Sequence, residues 1–423
     1  MAGFFLFVVI IKLGDPVIIA NESLAPSSIY EAVLEPWPTS WGYWILAPMF
    51  LLGLPLCQWK EAKFRLPLLL PLAWLFWQFV AATHTVDPAL TTLTLRHFAA
   101  CVALFYLGYF GLNGSRWPWP LFAGLALAFC WVVRTGFEQH FGGLEATRKY
   151  VYSVYGVGWQ DIAARNPDFA KRIESDRIFA TFVYPNALAG GVLLLLPMTL
   201  VFLWQLTPKV SLPIRRAFVA ILAGCGLAIL YWSGSKAGWL LATVMIMVAG
   251  MAFLRGRLSF KWRMGLVSAF VVVALAGFGL RFSHYFQRGA TSVSARFDYW
   301  KAAFQIIEAH PFVGTGPGAF SRPYAQLKSP NSEMTRLCHN DYLEQAADSG
   351  LPGMVLFISF VSHLFYKLYR YRSTNKPVKE PILDATMLGM GGLCLHSFVE
   401  YHLYIPALAW PLFFLLGWTW SLE

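Results

Sequence analysis

Residues 336–353, RLCHNDYLEQAADSGLPG, lead directly into the apolar run MVLFISFVSHLF at 354–365. Apolar runs of about 18 residues or more, long enough for a transmembrane helix, recur along the whole 423-residue chain. Only 13% of the residues are charged, whereas soluble domains have roughly 25%. The runs are continuous rather than alternating, which excludes a β-barrel. The sequence therefore predicts an all-α, polytopic helical membrane protein.

About twelve transmembrane helices are predicted, each bounded by Pro, Gly or charged residues. Lys12, Asp15 and Pro16 interrupt the first of them. The predicted spans are residues 4–20, 41–58, 66–83, 93–112, 118–134, 186–206, 214–232, 237–254, 264–281, 351–369, 384–400 and 403–420. Because no internal repeat or low-complexity tract divides the chain, residues 1–423 are predicted to form a single transmembrane domain.

The short connections predict the orientation of these spans in the membrane. The basic turns 59–65, 207–216, 255–263 and 369–380 all fall on one side, whereas 21–40 and 84–92 contain no Lys or Arg. Basic loops favour the cytoplasm, so both termini are predicted to be cytoplasmic. Two long insertions, 135–177 and 282–350, then face outward, and the second is the large loop between spans 9 and 10. The net charge of +11 follows from basic loops, and no nucleic-acid partner is expected.

Several basic residues depart from this charge pattern. Such residues either extend their charged ends to the membrane surface as anchors, or together bind the phosphate of a lipid. We favour anion binding for the set as a whole. The outer ends of predicted spans carry Arg96, Arg134, Arg177, Lys236 and Arg281, and the outer loops carry Arg148, Lys149, Arg165, Arg172, Arg288, Arg296, Arg322 and Arg336.

No motif in the sequence requires a metal ion or a cofactor. A DxD pair and an HExxH motif are both absent, and the six cysteines include no CxxC. Cationic side chains can neutralise a leaving phosphate directly. We therefore expect no metal and no cofactor.

The segment quoted first has the pattern of a short capped helix. Asn340 or Asp341 can cap its start, Gly350 can end it, and Pro352 follows. His339 then lies just before the helix, where a neutral imidazole can act as a general base towards a hydroxyl. The alternative is that His339 is only part of the cap.

Two further motifs lie at the outer ends of predicted spans. In RIFATFVYPNALAGGVLLLLP (177–197), Pro185 breaks the chain and Asn186 can cap the span that follows. This pattern is typical of a broken entry that lines a polar site, or of a simple cap. In SGSKAGW (233–239), Lys236 lies in a tight outer turn.

The segment SVSARFDYWKAAFQIIEAHPFVGTGPGAF (292–320) has helical apolar spacing in its first half. The stripe Phe297, Trp300, Phe304 and Ile307 is predicted to pack against the protein. The Gly-rich end, residues 314–320, lacks the Lys-Ser/Thr of a P-loop, so nucleotide binding is not favoured.

These four motifs occur here in the order found in the O-antigen ligase and polymerase superfamily, and the chain most closely resembles the bacterial O-antigen ligase. The resemblance covers 177–355 by motif and the rest by topology. It implies an inverting, metal-independent glycosyl transfer at the periplasmic face of the inner membrane. The donor would be a glycan on undecaprenyl pyrophosphate and the acceptor a lipid A-core sugar.

The resemblance also implies roles for particular residues. His339 matches the family's essential His and would be the base, and either Arg288 or Arg296 matches its loop arginine. Lys236 stands where the family usually has Arg. A lysine keeps the positive charge but lacks the bidentate guanidinium of arginine. Membrane lipids would surround the site. The residues predicted to bind substrate are Lys236, Arg177, Asn186, Asp341 and Arg336.

Two other functions stay open from the sequence. A polymerase that extends the lipid-linked glycan would use the same chemistry. A flippase or other transporter usually has charges in the middle of its spans or paired broken helices. Such charges are few here. Glu400 and His396 are the main exceptions, and they either line the outer site or pair with each other.

Overall fold

The computed structural model describes residues 1–22, 25–26, 28–57, 66–112, 118–156, 160–161, 170, 173–255, 257–287, 291–330, 332–374 and 380–422. The basic turn 59–65, Arg288 and part of the first insertion, including Arg165 and Arg172, lie outside these residues. Within them all regular secondary structure is helical, apart from one isolated bridge between Arg255 and Leu258. The all-α prediction is confirmed.

Sixteen α-helices occur among the described residues. The first eight are α1 Ala2–Lys12, α2 Ile29–Leu34, α3 Thr39–Gly53, α4 Leu70–Ala82, α5 Pro88–Gly111, α6 Trp119–Glu138, α7 Leu144–Tyr155 and α8 Pro185–Leu206. The others are α9 Leu212–Ser233, α10 Lys236–Phe253, α11 Phe260–Gln287, α12 Thr291–Ala309, α13 Ser321–Leu327, α14 Asp341–Thr374, α15 Pro381–His396 and α16 Pro406–Trp420. Short 3-10 turns flank several of them, and the π-helix Gln139–Gly143 joins α6 to α7.

Six described helices are long and apolar enough to cross a membrane. They are α5, α6 with its continuation into α7, α8, α9, α10 and α11. The predicted span 351–369 lies within the long helix α14, which is kinked at Gly350, whereas the span predicted at 384–400 ends as a helix at His396. The chain is thus a multi-pass membrane protein, whereas the count of twelve spans and the layout of the loops stay predictions.

Helix α16 forms the centre of the bundle, because all of its residues from Pro406 to Trp420 are buried. Its closest neighbour is α5, and two glycines allow that approach. A Cβ on Gly417 would lie 1.9 Å from the Phe105 carbonyl oxygen, and one on Gly108 would lie 2.2 Å from the Phe414 carbonyl oxygen. Small residues at a helix contact let the two backbones pack closely, which stabilises helix association in a membrane, where the hydrophobic effect contributes little.

Helices α9, α10 and α11 lie at the edge of the bundle. In α11 only 6% of the most apolar stretch is buried inside the protein. An apolar helix exposed in this way requires a non-aqueous surrounding, which the bilayer supplies.

The Gly-rich segment 314–320 wraps around the first half of α14. Gly314, Gly316 and Gly318 all have positive φ, and a Cβ at any of them would collide with neighbouring atoms. The amide of Gly316 donates to the carbonyl of Asp348, and the amide of Gly318 donates to the Asp348 carboxylate at 2.6 Å. These amides are engaged within the protein rather than arranged around a phosphate.

Helix α12 corrects one expectation. Its buried face consists of Tyr299, Ala302, Ala303 and Ile306, which pack with residues of α13 and α14. In contrast, Phe297 is 61% exposed and Phe304 is 59% exposed. The prediction that the aromatic stripe packs against the protein is therefore wrong for Phe297 and Phe304, whereas Trp300 and Ile307 are partly buried and pack against this cluster.

Candidate active site

One cavity of about 480 Å³ gathers residues from four distant parts of the chain. It lies between the start of α8, the start of α10, helix α12 and the turn that follows α15. The lining includes five residues predicted from the sequence, and Glu400 joins them. Those five are Arg177, Asn186, Lys236, Arg296 and His339.

Glu400 is the central acceptor of this cavity. It lies in the turn after α15, beyond the last residue of that helix, and only 4% of it is exposed. One carboxylate oxygen accepts from Asn186 Nδ2 at 2.6 Å and from the guanidinium of Arg296, and the other lies 3.1 Å from His339 Nδ1. Burial opposes ionisation, but the charge of Arg296 and the hydrogen bond from His339 outweigh it and hold the pKa of Glu400 below its usual range.

His339 is oriented by the carboxylate and by two aromatic rings. Its ring stacks on Tyr299 with centroids 5.7 Å apart and meets the edge of Tyr401 at 4.7 Å. A carboxylate only accepts hydrogen bonds, so Nδ1 carries a proton, and in the neutral ring the lone pair then lies on Nε2. The backbone of His339 has φ +55°, a left-handed conformation that non-glycine residues rarely adopt.

The cap of α14 explains that conformation. The side chain of Asn340 accepts from the amides of Tyr342 at 3.0 Å and Leu343 at 3.1 Å. Of the two predicted candidates, Asn340 is therefore the cap. The chain turns sharply into the helix at this point, and the turn leaves the His339 ring facing the cavity.

Arg177 is fixed by two hydrogen bonds of its guanidinium. Nε donates to the carbonyl of Ser233 at 2.7 Å, and Nη2 donates to Asn186 Oδ1 at 2.7 Å. Asn186 therefore connects Arg177 to Glu400. The prediction that Asn186 caps α8 is wrong, because the N-cap is Tyr184 and no side chain caps that helix. Gly234, at φ +62°, leaves the space that Arg177 occupies.

Lys236 is the first residue of α10, and the side chain of Ser235 caps that helix by accepting from the amide of Gly238 at 3.2 Å. The cavity thus combines Lys236, Arg177 and Arg296 with two lining carboxylates, those of Glu333 and Glu400. With every one of these groups ionised, cations outnumber anions. The cavity favours an anionic ligand.

Arg296 contacts both the carboxylate and the backbone of the turn after α15. Its Nε donates to the carbonyl of Val399 at 2.9 Å, and Nη1 donates to the carbonyl of Ser292 at 3.1 Å. Glu400 and Val399 therefore hold its guanidinium at the cavity wall. Arg288, the alternative for the loop arginine, lies outside the described residues.

Two predicted binding residues lie away from the cavity lining. Asp341 is buried, its carboxylate accepts from the amide of Leu403 at 3.0 Å, and its own amide donates to the carbonyl of Ser397 at 2.9 Å. It thereby connects the start of α14 to the turn that carries Glu400. Burial raises the pKa of Asp341 to about 8. Arg336 donates to the carbonyl of Ile18 at 3.2 Å.

The structure separates the other candidate charges. Arg134 forms an ion pair with Glu138, and both side chains are more than half exposed. Of the two residues late in a predicted span, Glu400 lines the cavity. The ring of His396 instead faces that of His402, with Nδ1 and Nε2 2.8 Å apart. The sequence signal for Glu400 was only a charge late in a predicted span. Within the described residues, no three His, Cys, Asp or Glu are grouped so that they could hold a metal ion.

These features define a class: a multi-pass helical membrane protein with a cationic cavity around a carboxylate–histidine pair. Residues 218–358, about a third of the chain, match the family model described as O-antigen ligase. The predicted resemblance to that family is confirmed. The matched region contains Lys236, Arg296 and His339, whereas Arg177, Asn186 and Glu400 lie outside it.

A curated relative is also similar over a short stretch. An uncharacterized protein of Haemophilus influenzae is 32% identical over 95 residues, which is 21% of this chain. The match covers 24% of that relative's length. Activity, substrates and partners of the whole chain are therefore proposals.

Proposed function

We propose that this chain is a glycosyltransferase of the inner membrane that acts as an O-antigen ligase. It would transfer a glycan from undecaprenyl pyrophosphate to a hydroxyl of lipid A-core oligosaccharide at the periplasmic face. The observation that carries the proposal is the pairing of His339 Nδ1 with Glu400, 3.1 Å apart, in the same cavity as three cations. Such a site offers a base for a hydroxyl beside a binding place for phosphate.

The reaction follows from the groups in this cavity. Nε2 of His339 takes the proton of the acceptor hydroxyl while that oxygen attacks the anomeric carbon. The bond between this carbon and the phosphate oxygen breaks, and the pyrophosphate leaves with the electron pair. Attack from the face opposite the leaving group inverts the configuration. Glu400 stabilises the imidazolium that forms, as a carboxylate does for the histidine of a catalytic triad.

The cations would act on the leaving group. Arg177, Lys236 and Arg296 can offset the charge that develops on the pyrophosphate, a role that needs no metal ion. Arg177 is held by Ser233 and Asn186, so it would not need to reorganise during the reaction. A preorganised cation stabilises developing charge more effectively than a mobile one.

A transfer assay with purified protein and lipid-linked donor tests the proposal. His339→Ala should fold and enter the membrane but lose transfer by about 10²- to 10⁴-fold, the usual contribution of a general base. His84→Ala is the matched control, because His84 is exposed and its described side-chain hydrogen bond is to Thr83. Normal transfer by the His339 variant would overturn the assignment.

The same assay separates the alternatives when two acceptors are offered. Transfer to core lipid A supports a ligase, whereas transfer to a second lipid-linked glycan supports a polymerase. Transfer in detergent, without a membrane gradient, would argue against a flippase or other transporter. A protein that moves the lipid-linked glycan across a vesicle membrane but transfers nothing would support transport instead.

A further inference from the structure

Helix α12 exposes a stripe of apolar side chains beside its packed face. Phe297 is 61% exposed, Phe304 is 59% exposed and Val293 is 40% exposed. These residues recur at intervals of four and seven, so they share one face of the helix. With the partly buried Trp300 between them, they form a continuous apolar surface, here called the α12 stripe.

A polar stripe runs beside it on the same helix. Lys301, Gln305 and Glu308 are exposed and follow one another at intervals of four and three. They are rotated by roughly 40–100° from the middle of the α12 stripe, at about 100° per residue. The third face, opposite both, packs on α13 and α14 through Tyr299, Ala303 and other residues. The exposed surface of α12 is thus divided lengthwise into an apolar and a polar half.

Both ends of α12 lie next to helices that enter the membrane. At one end, α11 finishes at Gln287, four residues before Thr291. At the other end, the amide of Leu351 donates to the carbonyl of Pro311 at 2.8 Å, just beyond the end of α12. Leu351 begins the apolar half of α14, the predicted tenth span. Helix α12 has 19 residues and is therefore about 28 Å long.

We propose that α12 lies flat in the outer membrane–water boundary, with the α12 stripe in the lipid and the polar stripe in water. A helix whose two ends meet the outer ends of two spans must run along the membrane surface. A lengthwise division into apolar and polar halves is the pattern of helices that lie in the interface plane. Aromatic residues are favoured at that depth. The covering partner is thus the outer leaflet itself, continuous with the lipid around α11.

This placement has a consequence for the cavity, which rests on the proposed function. Val293, Phe297 and Trp300 belong to the α12 stripe and also line the cavity, together with Leu240 of α10 and Phe278 of α11. Lipid against the stripe would put the cavity mouth at the edge of the bilayer. A lipid-linked substrate could then enter sideways, with its phosphate reaching Arg177 and Lys236 while its hydrocarbon chain stays in the leaflet.

Spin labels on α12 test the placement in reconstituted vesicles. Single cysteines at Phe297 and Phe304 are compared with matched controls at Lys301 and Gln305, in a chain where the exposed Cys130 and the partly exposed Cys225 are Ser. The stripe positions should collide more with lipid-soluble oxygen than with a water-soluble nickel chelate. The two controls should show the reverse. Equal water access at all four positions would overturn the proposal.

A second measurement separates lipid contact from protein contact. A fluorophore at Phe304, which does not line the cavity, should be quenched by brominated phospholipid more strongly than one at Gln305. Protection from both reagents, together with cross-linking between copies, would assign the stripe to a second copy and overturn the proposal. Neither readout depends on catalysis. A protein that labels as expected but transfers no glycan would refute only the proposed function.

Discussion

Glu400→Gln is the change that bears most directly on the proposed chemistry. The substitution keeps the size of the side chain and removes its charge. The Glu400 carboxylate accepts from Asn186, Arg296 and His339 in the structure, and an amide has only one acceptor oxygen. If that oxygen accepts hydrogen bonds from Arg296 and Asn186, the amide nitrogen faces Nδ1 of His339. Nδ1 would then accept, the proton would move to Nε2, and the base would be blocked.

The structure gives two limits for the size of the effect. If the amide forces the wrong tautomer, the loss of turnover should approach about 10⁴-fold, as in a triad whose carboxylate becomes an amide. If the amide oxygen instead faces His339, only the charge-assisted part of the bond disappears. Such bonds contribute roughly 1.5–3 kcal/mol, which corresponds to about a 10- to 150-fold loss. We expect a loss between these limits.

The assay is glycan transfer by purified protein, with rate constants for turnover separated from donor binding. Glu400→Asp keeps the charge and should retain more activity than Glu400→Gln. Glu138→Gln is the matched control, since Glu138 is exposed, pairs with Arg134 and does not line the cavity. A Glu400→Gln protein that folds and loses less than about tenfold in turnover would refute the role of the carboxylate.

Thermal unfolding of the same variants checks that the effect is chemical. The pKa of Glu400 is held below its usual range, so its charged form stabilises the fold at neutral pH. That contribution is present above the unfolded value of about 4.3 and is lost as pH falls through the lower folded value. Melting temperatures of wild type and Glu400→Gln should therefore converge in acid. A constant difference at all pH values would contradict this linkage.

Three further predictions concern the surroundings of the site. Gly234→Ala should destabilise the protein by about 1 kcal/mol in unfolding assays, because φ +62° strains a side chain, whereas Gly250→Ala in open space within α10 should stabilise it slightly. Lys236→Gln should raise the KM for donor about 10- to 100-fold, because a charge-assisted hydrogen bond is lost. Arg134→Gln should leave the KM unchanged. Equal effects of the two substitutions would refute the cavity's role in donor binding. Asp341→Asn should lose less stability than wild type as pH rises from about 4 to 8. Burial raises the pKa of Asp341 to about 8, so its protonated form stabilises the fold at low pH and that contribution is lost as pH rises; parallel melting curves would contradict this.

Much of the architecture could be predicted from composition and hydropathy. Spans such as Pro185–Leu206 and Phe260–Gln287 are apolar enough to be recognised without any tertiary contact. Short helices are harder, because Pro381–His396 and Pro406–Trp420 depend on burial by their neighbours. Length alone does not decide whether such a segment crosses the membrane.

The candidate site was predictable only in part. Cations at the predicted outer ends of spans identified Arg177 and Lys236, and the motif order identified His339. The same rule also selected Arg134, which pairs with an exposed acid instead. A charge pattern specifies a depth in the membrane but not a position around the bundle, so it cannot separate a cavity residue from a surface one.

The sequence by itself determined that this protein lies in a membrane, and it determined which types of chemical groups are available for its chemistry. Long apolar runs must leave water, and the polar motifs must lie at their ends, whatever the packing. Only the tertiary structure decided which groups meet. Glu400 and His339 are 61 residues apart in the chain and 3.1 Å apart in space. Helix α12 likewise shows its two exposed faces only once its third face is packed, because hydropathy does not reveal which side of an amphipathic helix its neighbours cover.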